Sequence, residues 1–248
     1  MSRVSRATIV NTFMRSFVIQ GSWNYRTLIG CGFAFALLPV LRTLYAHRPD
    51  QYRAALQRHT AVFNSHPYLA PMALGAVAVL EETESATVIE RFKSAVRGSL
   101  GSLGDRLIWA GFRPVCILLA LGAVLLGASW AVATGGFLLL YNIGHVAIRI
   151  WALRFGLRNG LHVGEKLRAA PVERIQHWMQ LTAAFLLGFG LALLVSGRPV
   201  TGELPVPWTV AALLAAGLAS LLGARVRLPM VLALIAFALI SIVRGAFS

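Results

Sequence analysis

Gln20-Gly21-Ser22-Trp23-Asn24 puts an amide, a glycine, a hydroxyl, an indole and a second amide into five positions, where the chain enters an apolar run. Tyr25 and Arg26 follow, and then fifteen uncharged residues from Thr27 to Leu41. Glycine and serine beside a membrane segment let the backbone break and expose its polar groups. Such a break survives at membrane depth only where protein or a wet cavity covers it. An indole beside two carboxamides matches a carbohydrate, offering a flat apolar face ringed by donors and acceptors. The competing reading is an interfacial anchor, with Trp23 at headgroup level and Asn24 capping the next helix.

Composition sets the class around that stretch. Of 248 residues 57% are hydrophobic and 13% charged, and the mean hydropathy is +0.70. A soluble domain carries about a quarter charged residues. Here the charges cluster between runs long enough to cross a bilayer core, which takes about 20 residues as helix. The chain reads as an all-α, polytopic integral membrane protein: an amphipathic N-terminal helix, broken or re-entrant helices in the first third, and a C-terminal helical bundle. The net charge of +14 does not point to nucleic acid. The arginines sit singly at the ends of apolar runs, where they meet anionic lipid and fix orientation. Cys31 and Cys116 lie inside apolar stretches without metal spacing, as small buried hydrophobes. No cleavable signal peptide is expected, because Asn11, Thr12 and Arg15 interrupt any apolar leader core after Arg3 and Arg6.

In chain order, Ile9, Val10, Phe13, Met14 and Phe17 share one face of a helix over 7–19, opposite Asn11, Thr12, Arg15 and Ser16. With basic flanks such a helix lies in the membrane interface or packs on a partner subunit. Thr27–Leu41 is short for a span, and Pro39 kinks its end. Residues 42–58 carry Arg42, Arg48, Arg53 and Arg58 against Asp50 alone. The next uncharged run, 60–80, is interrupted by Asn64, Ser65, His66, Pro67 and Pro71, and stops at Glu81-Glu82. If both runs crossed fully, one basic segment would lie outside, against the positive-inside bias. At least one is therefore expected to dip and return, as the broken helices of transporters do.

Residues 83–97 read as a cytoplasmic surface helix with an apolar stripe of Val88, Ile89, Phe92 and Val96. A capping box at Thr87 and Glu90 supports it, and Glu90, Arg91, Lys93 and Arg97 take the other faces. Gly98, Gly101 and Gly104 recur every third residue without the Lys-Ser/Thr of a phosphate loop, which predicts a hinge or hairpin tip ending at Asp105. From Pro114 to Ile148 no charged residue occurs, with an outer-side turn expected among the small residues of 127–136. Six bases in 149–174 (Arg149, Arg154, Arg158, Lys166, Arg168, Arg174) mark the inner side. The spans 175–197, 204–224 and 228–243 follow, putting the N-terminus inside and the C-terminus outside.

No catalytic or metal constellation is present. His59 and His66 are seven apart, too far for a helical metal pair, and no cofactor motif occurs. Glu81 and Asp105 stand beside apolar runs, and an ionisable group at membrane depth is by default a functional candidate. The bland alternative places Glu81 and Glu82 at the water line, paired with Arg91 or Arg97.

Taken together these residues resemble the IID component of the mannose/fructose/sorbose family of the bacterial phosphoenolpyruvate-dependent sugar phosphotransferase system. The resemblance rests on Gln20–Asn24; on Arg58-His59 through Phe63-Asn64-Ser65-His66-Pro67; on Leu80-Glu81-Glu82; on Gly104-Asp105 with Trp109, Arg113 and Pro114; and on Tyr141-Asn142 through Arg149 and Gly156. Arg106 replaces a proline usual in that family. The resemblance implies a single membrane domain over 1–248 (interfacial helix and signature loop 1–26; broken helices, cytoplasmic helix and hinge 27–113; transmembrane helices 114–248). It implies a bacterial cytoplasmic (inner) membrane protein without a phosphohistidine of its own. It also implies a IIC membrane partner, cytoplasmic IIA and IIB phosphocarriers, and a hexose-type sugar. Gln20, Ser22, Trp23 and Asn24, with Asn64 and Glu81, are then expected near the sugar. Gly98, Gly101, Gly104 and Asp105 are expected at a partner-facing hinge. A transport-deficient anchor or regulatory partner for IIA and IIB is the alternative.

Overall fold

Ser5 starts the first helix, its hydroxyl accepting the Thr8 amide proton at 3.1 Å, an N-cap bond. Helix α1 (Arg6–Ser16) is amphipathic, but the residues it buries are polar. Thr12 and Ser16 are fully buried, whereas Val10 and Met14 are 59% and 60% exposed. That inversion suits a helix whose outer surroundings are lipid. The computed structural model describes residues 4–195, and among these there are helices and loops but no strand, only two isolated bridges. The expected spans 204–224 and 228–243, the loop at 198–203 and the C-terminal side all lie outside the described residues.

Helix α2 (Gly30–Leu44) packs on α1 and on α3 (Pro49–Thr60); α4 (Ala70–Thr83) contacts α2. Pro39 sits inside α2, in its second half. A helical proline leaves the carbonyl four residues back without its donor. That carbonyl, Phe35 O, instead accepts from the Arg15 guanidinium of α1 at 3.4 Å. Helices α2 and α4 have 15 and 14 residues, about 21 to 23 Å at 1.5 Å per residue. Neither alone crosses a hydrocarbon core of about 30 Å.

Helix α5 (Ala86–Gly104) has Ser85, not Thr87, at its N-cap, and it continues through Gly98 and Gly101. Where the glycine spacing predicts a hairpin tip, the chain is helical. Glycine permits a break but does not impose one, and a continuous ladder satisfies every backbone group. A π-helical stretch, Asp105–Phe112, leads into α6 (Arg113–Leu125). The outer turn is tighter than the small-residue run predicts. Gly127, at φ 95°, closes α6 in a Schellman motif, with its amide donating to Val124 O and that of Ala128 to Ala123 O, both at 2.9 Å. Helix α7 (Trp130–Asn159) starts three residues later; α8 (Val163–Ala169) and α9 (Val172–Val195) complete the described chain. Among the described residues three stretches are long and apolar enough to cross a membrane: Ala86–Leu125, Trp130–Ala169 and Val172–Leu194.

The chain divides into two units, Met1–Ala110 with Tyr141–Ile175, and Gly111–Leu140 with the residues from Gln176 onward. The first is centred on α4, buried from Ala70 to Ala78. Its contact with α7 is backbone on backbone. A Cβ at Gly75 would meet Leu153 O and stand 2.9 Å from Leu157 N; one at Gly156 would meet Met72 O and stand 2.9 Å from Ala76 N.

Candidate functional site

Two loops in the first unit carry Gln20, Ser22, Trp23, Asn24 and Asn64, and they are bonded to each other. The amide of Leu28 donates to Asn24 O at 2.8 Å and that of Asn24 to Leu28 O at 3.3 Å. On the far side Ile29 N donates to Phe63 O at 3.0 Å and Phe63 N to Thr27 O at 3.2 Å. Leu28 holds φ 57°, a left-handed conformation unusual for leucine. Phe63 anchors the second loop, fully buried 4.6 Å from the Phe33 ring of α2. The two interruptions thus form one structural feature.

Asn24 organises the first loop with its whole amide. Its Oδ1 accepts from the amides of Arg26 (3.0 Å) and Thr27 (2.9 Å), and its Nδ2 donates to Ser22 O (3.1 Å) and Thr27 Oγ1 (2.8 Å). This asparagine folds the turn with its own side chain, as Asx turns do. Gln20, Ser22 and Trp23 remain exposed, Trp23 lying edge-on to Tyr25 at 4.9 Å.

Asn64, on the second loop, lines an open cavity of about 460 Å³. Leu28 and Val62 supply apolar wall, and Arg97, Gly98, Gly101 and Ser102 of α5 with Asp105 just after it supply the rest. Residues assigned from sequence to two purposes, sugar and hinge, share this wall. Gly104 lies apart from it, since a Cβ there would collide with the His66 side chain.

Glu81 occupies a different place. Its side chain is wholly buried and accepts three hydrogen bonds, from Tyr45 Oη at 2.6 Å, Arg58 Nη2 at 2.7 Å and His59 Nε2 at 2.8 Å. Its partners are therefore Arg58 and His59 rather than Arg91 or Arg97. Burial pushes the His59 imidazole down to about 4, and the hydrogen bond to Glu81 only partly opposes this. The ring is neutral near pH 7, donating from Nε2 and leaving Nδ1 without a partner. Burial first, and then the Glu81 carboxylate, raises the Tyr45 phenol to about 12. Lys93, expected on a solvated face of α5, is instead buried. Its ammonium donates to Arg58 O at 2.8 Å and lies 5.2 Å from the centre of the Phe33 ring. The cluster ties α3, α4 and α5 together.

A second buried cluster escaped the sequence reading. Arg149, counted there among the inner-side bases, is 3% exposed. Its Nε donates to His145 Nε2 at 2.6 Å and its Nη1 to Ser16 O at 2.9 Å. His145 stacks on Tyr68 at 4.0 Å, and the Tyr68 hydroxyl is 2.7 Å from that of Tyr141. The available signal was His145 and Arg149 one turn apart at the end of an uncharged run.

Among the described residues no group of three potential metal ligands exists. The fold and site define a helical, polytopic membrane protein whose polar residues are arranged around interrupted helices. The chain belongs to the PTS system mannose/fructose/sorbose family IID component, whose family pattern matches residues 3–201; it is a membrane subunit of a mannose-family permease. It is 26% identical to the mannose-specific EIID component of Escherichia coli (strain K12) over 75% of this chain and 67% of that one. It is 27% identical to the sorbose-specific EIID component of Klebsiella pneumoniae, over 84% and 80%. To the fructose permease IID component of Bacillus subtilis (strain 168) it is 29% identical, over 75% and 69%. In fold it resembles a chain from the structure of the mannose transporter ManYZ with microcin E492, with a TM-score of 0.61 and 22% identity, covering 100% of this chain and 98% of that one. A chain described as a membrane protein matches with a TM-score of 0.71 and 23% identity, covering 98% and 97%.

Proposed function

We propose that this chain serves sugar uptake as the non-catalytic IID subunit beside a IIC-type sister subunit in the bacterial cytoplasmic membrane. Sugar crosses at the interrupted helices and is phosphorylated on the inner side by a IIB phosphocarrier, itself recharged by IIA. One observation carries the reading: the loops at 20–29 and 61–69 bond to each other and border a cavity with Asn64 and Asp105 on its wall. Irregular backbone at membrane depth is tolerated where it lines a cavity, and transporters place their substrates at such points. Gln20, Ser22 and Trp23 lie exposed on the first loop, available to a sugar held jointly with the sister subunit. Helix α5 between Ala86 and Arg97 is the surface offered to IIB.

The test is uptake into vesicles carrying this chain, its IIC partner and phosphorylated IIB. Uptake dependent on all three, and reduced by Trp23→Ala with co-purification unchanged, supports the reading. Vesicles that recruit IIA and IIB but accumulate no sugar would establish the transport-deficient anchor instead.

A further inference from the structure

Helix α5 spends three glycines in seven residues, and only one is explained by packing. A glycine inside a helix costs about 1 kcal/mol relative to alanine. Gly104 is demanded by the His66 ring, which a Cβ there would strike. Gly98 is not, since its Cβ would meet nothing within 4 Å. At Gly101 the nearest atom is Ser65 Cα at 3.9 Å, ordinary contact. What the two missing side chains do is hold the cavity wall back.

The groups around that emptied wall are chemically specific. Asn64 offers an amide from the loop, and Arg97 a guanidinium, Ser102 a hydroxyl and Asp105 a carboxylate from one face of α5 and the first π-helical residue after it. Acceptors and donors side by side suit vicinal hydroxyls, each of which donates and accepts. The volume of about 460 Å³ lies within the range of small-ligand sites, about 300 to 1,000 Å³. Asn24 and Glu81, by contrast, already spend their polar atoms inside the protein.

We infer that the face formed by Gly98, Gly101 and Ser102 of α5 with Asp105 just beyond it, bordered by Asn64, is where this chain holds the hydroxyls of the sugar. The inference rests on the sugar-permease reading and deepens it. Asn64 and Asp105 are contact residues, whereas Asn24 and Glu81 are positioning residues that shape the loops around them.

The experiment uses vesicles with the complete complex and radiolabelled mannose, fructose and sorbose in turn. Asp105→Asn and Asn64→Ala raise the KM of the transported sugar by about tenfold or more, as expected for lost polar contacts, with co-purification and melting unchanged. Gly98→Leu, whose Cβ has free space, fills the cavity and cuts uptake at least as far without lowering the melting temperature. Wild-type KM in all three variants overturns the inference and leaves the permease reading standing. An unmodified complex that takes up none of the sugars overturns both. Variants whose only defect is failure to bind the IIC partner overturn it as well, in favour of an assembly surface.

Discussion

Glu81 is the residue on which the first unit closes. Its buried carboxylate faces an Arg58 side chain that is 9% exposed and the fully buried His59. Removing one partner of a buried pair leaves the other charge stranded, at a cost of about 3 to 5 kcal/mol. Glu81→Ala is therefore expected to lower stability by that order, read as a large drop in melting temperature of the purified protein. His59 gives the network a pH dependence of definite sign. Its folded pKa, about 4, lies below its ordinary value of 6.5, so protonation favours the unfolded state. The stability it contributes is intact above pH 6.5 and is lost as pH falls towards 4. Melting followed from pH 8 to pH 4 should show that acid-side decline, and His59→Gln should flatten it. A decline of equal steepness in the variant would assign it to other groups.

Helix packing turns on which glycines touch a neighbour and which do not. Gly156 lets α7 lie against the α4 backbone at Met72 and Ala76, while Gly98 faces open space. The same substitution should then have opposite signs at the two positions. Gly156→Ala forces the helices apart and costs about 1 to 3 kcal/mol, as overpacking does. Gly98→Ala stabilises by up to about 1 kcal/mol through helix propensity. Thermal unfolding of the pair decides it. Helix α1 is held through Arg149, whose guanidinium bonds His145 and the end of α1 together. An ammonium lacks that fork. Arg149→Lys should loosen α1, seen as amide exchange over residues 6–16 faster by about tenfold or more.

Across the whole molecule, the distribution of basic residues assigns sides to the loops. In a background with Cys31 and Cys116 replaced by serine, a cysteine at Arg91 should react with a membrane-impermeant maleimide from the cytoplasmic side only. One at Ser129, in the turn after Gly127, should react from outside only. Labelling of both from one side would overturn the assignment.

The sequence by itself determined the class of molecule and two of the places where its helices stop. Hydropathy is a sum over residues, and the polar residues at 20–24 and 64–67 interrupt apolar runs whatever surrounds them. It also marked Glu81 and Asp105, because a carboxylate beside an apolar run stands out without any neighbour. Only the tertiary structure decided what those residues face. Asn24 carries the same amide as Asn64, yet one is used up within its own turn and the other borders a cavity. Lys93 and Arg149 look like surface bases until Arg58, Phe33 and Ser16 arrive from distant segments to enclose them. The glycines of 98–104 signal a flexible turn locally, but the backbone hydrogen bonds of a continuing helix outweigh their freedom. Partnership depends on contacts between residues far apart in the chain, and no local pattern contains that information.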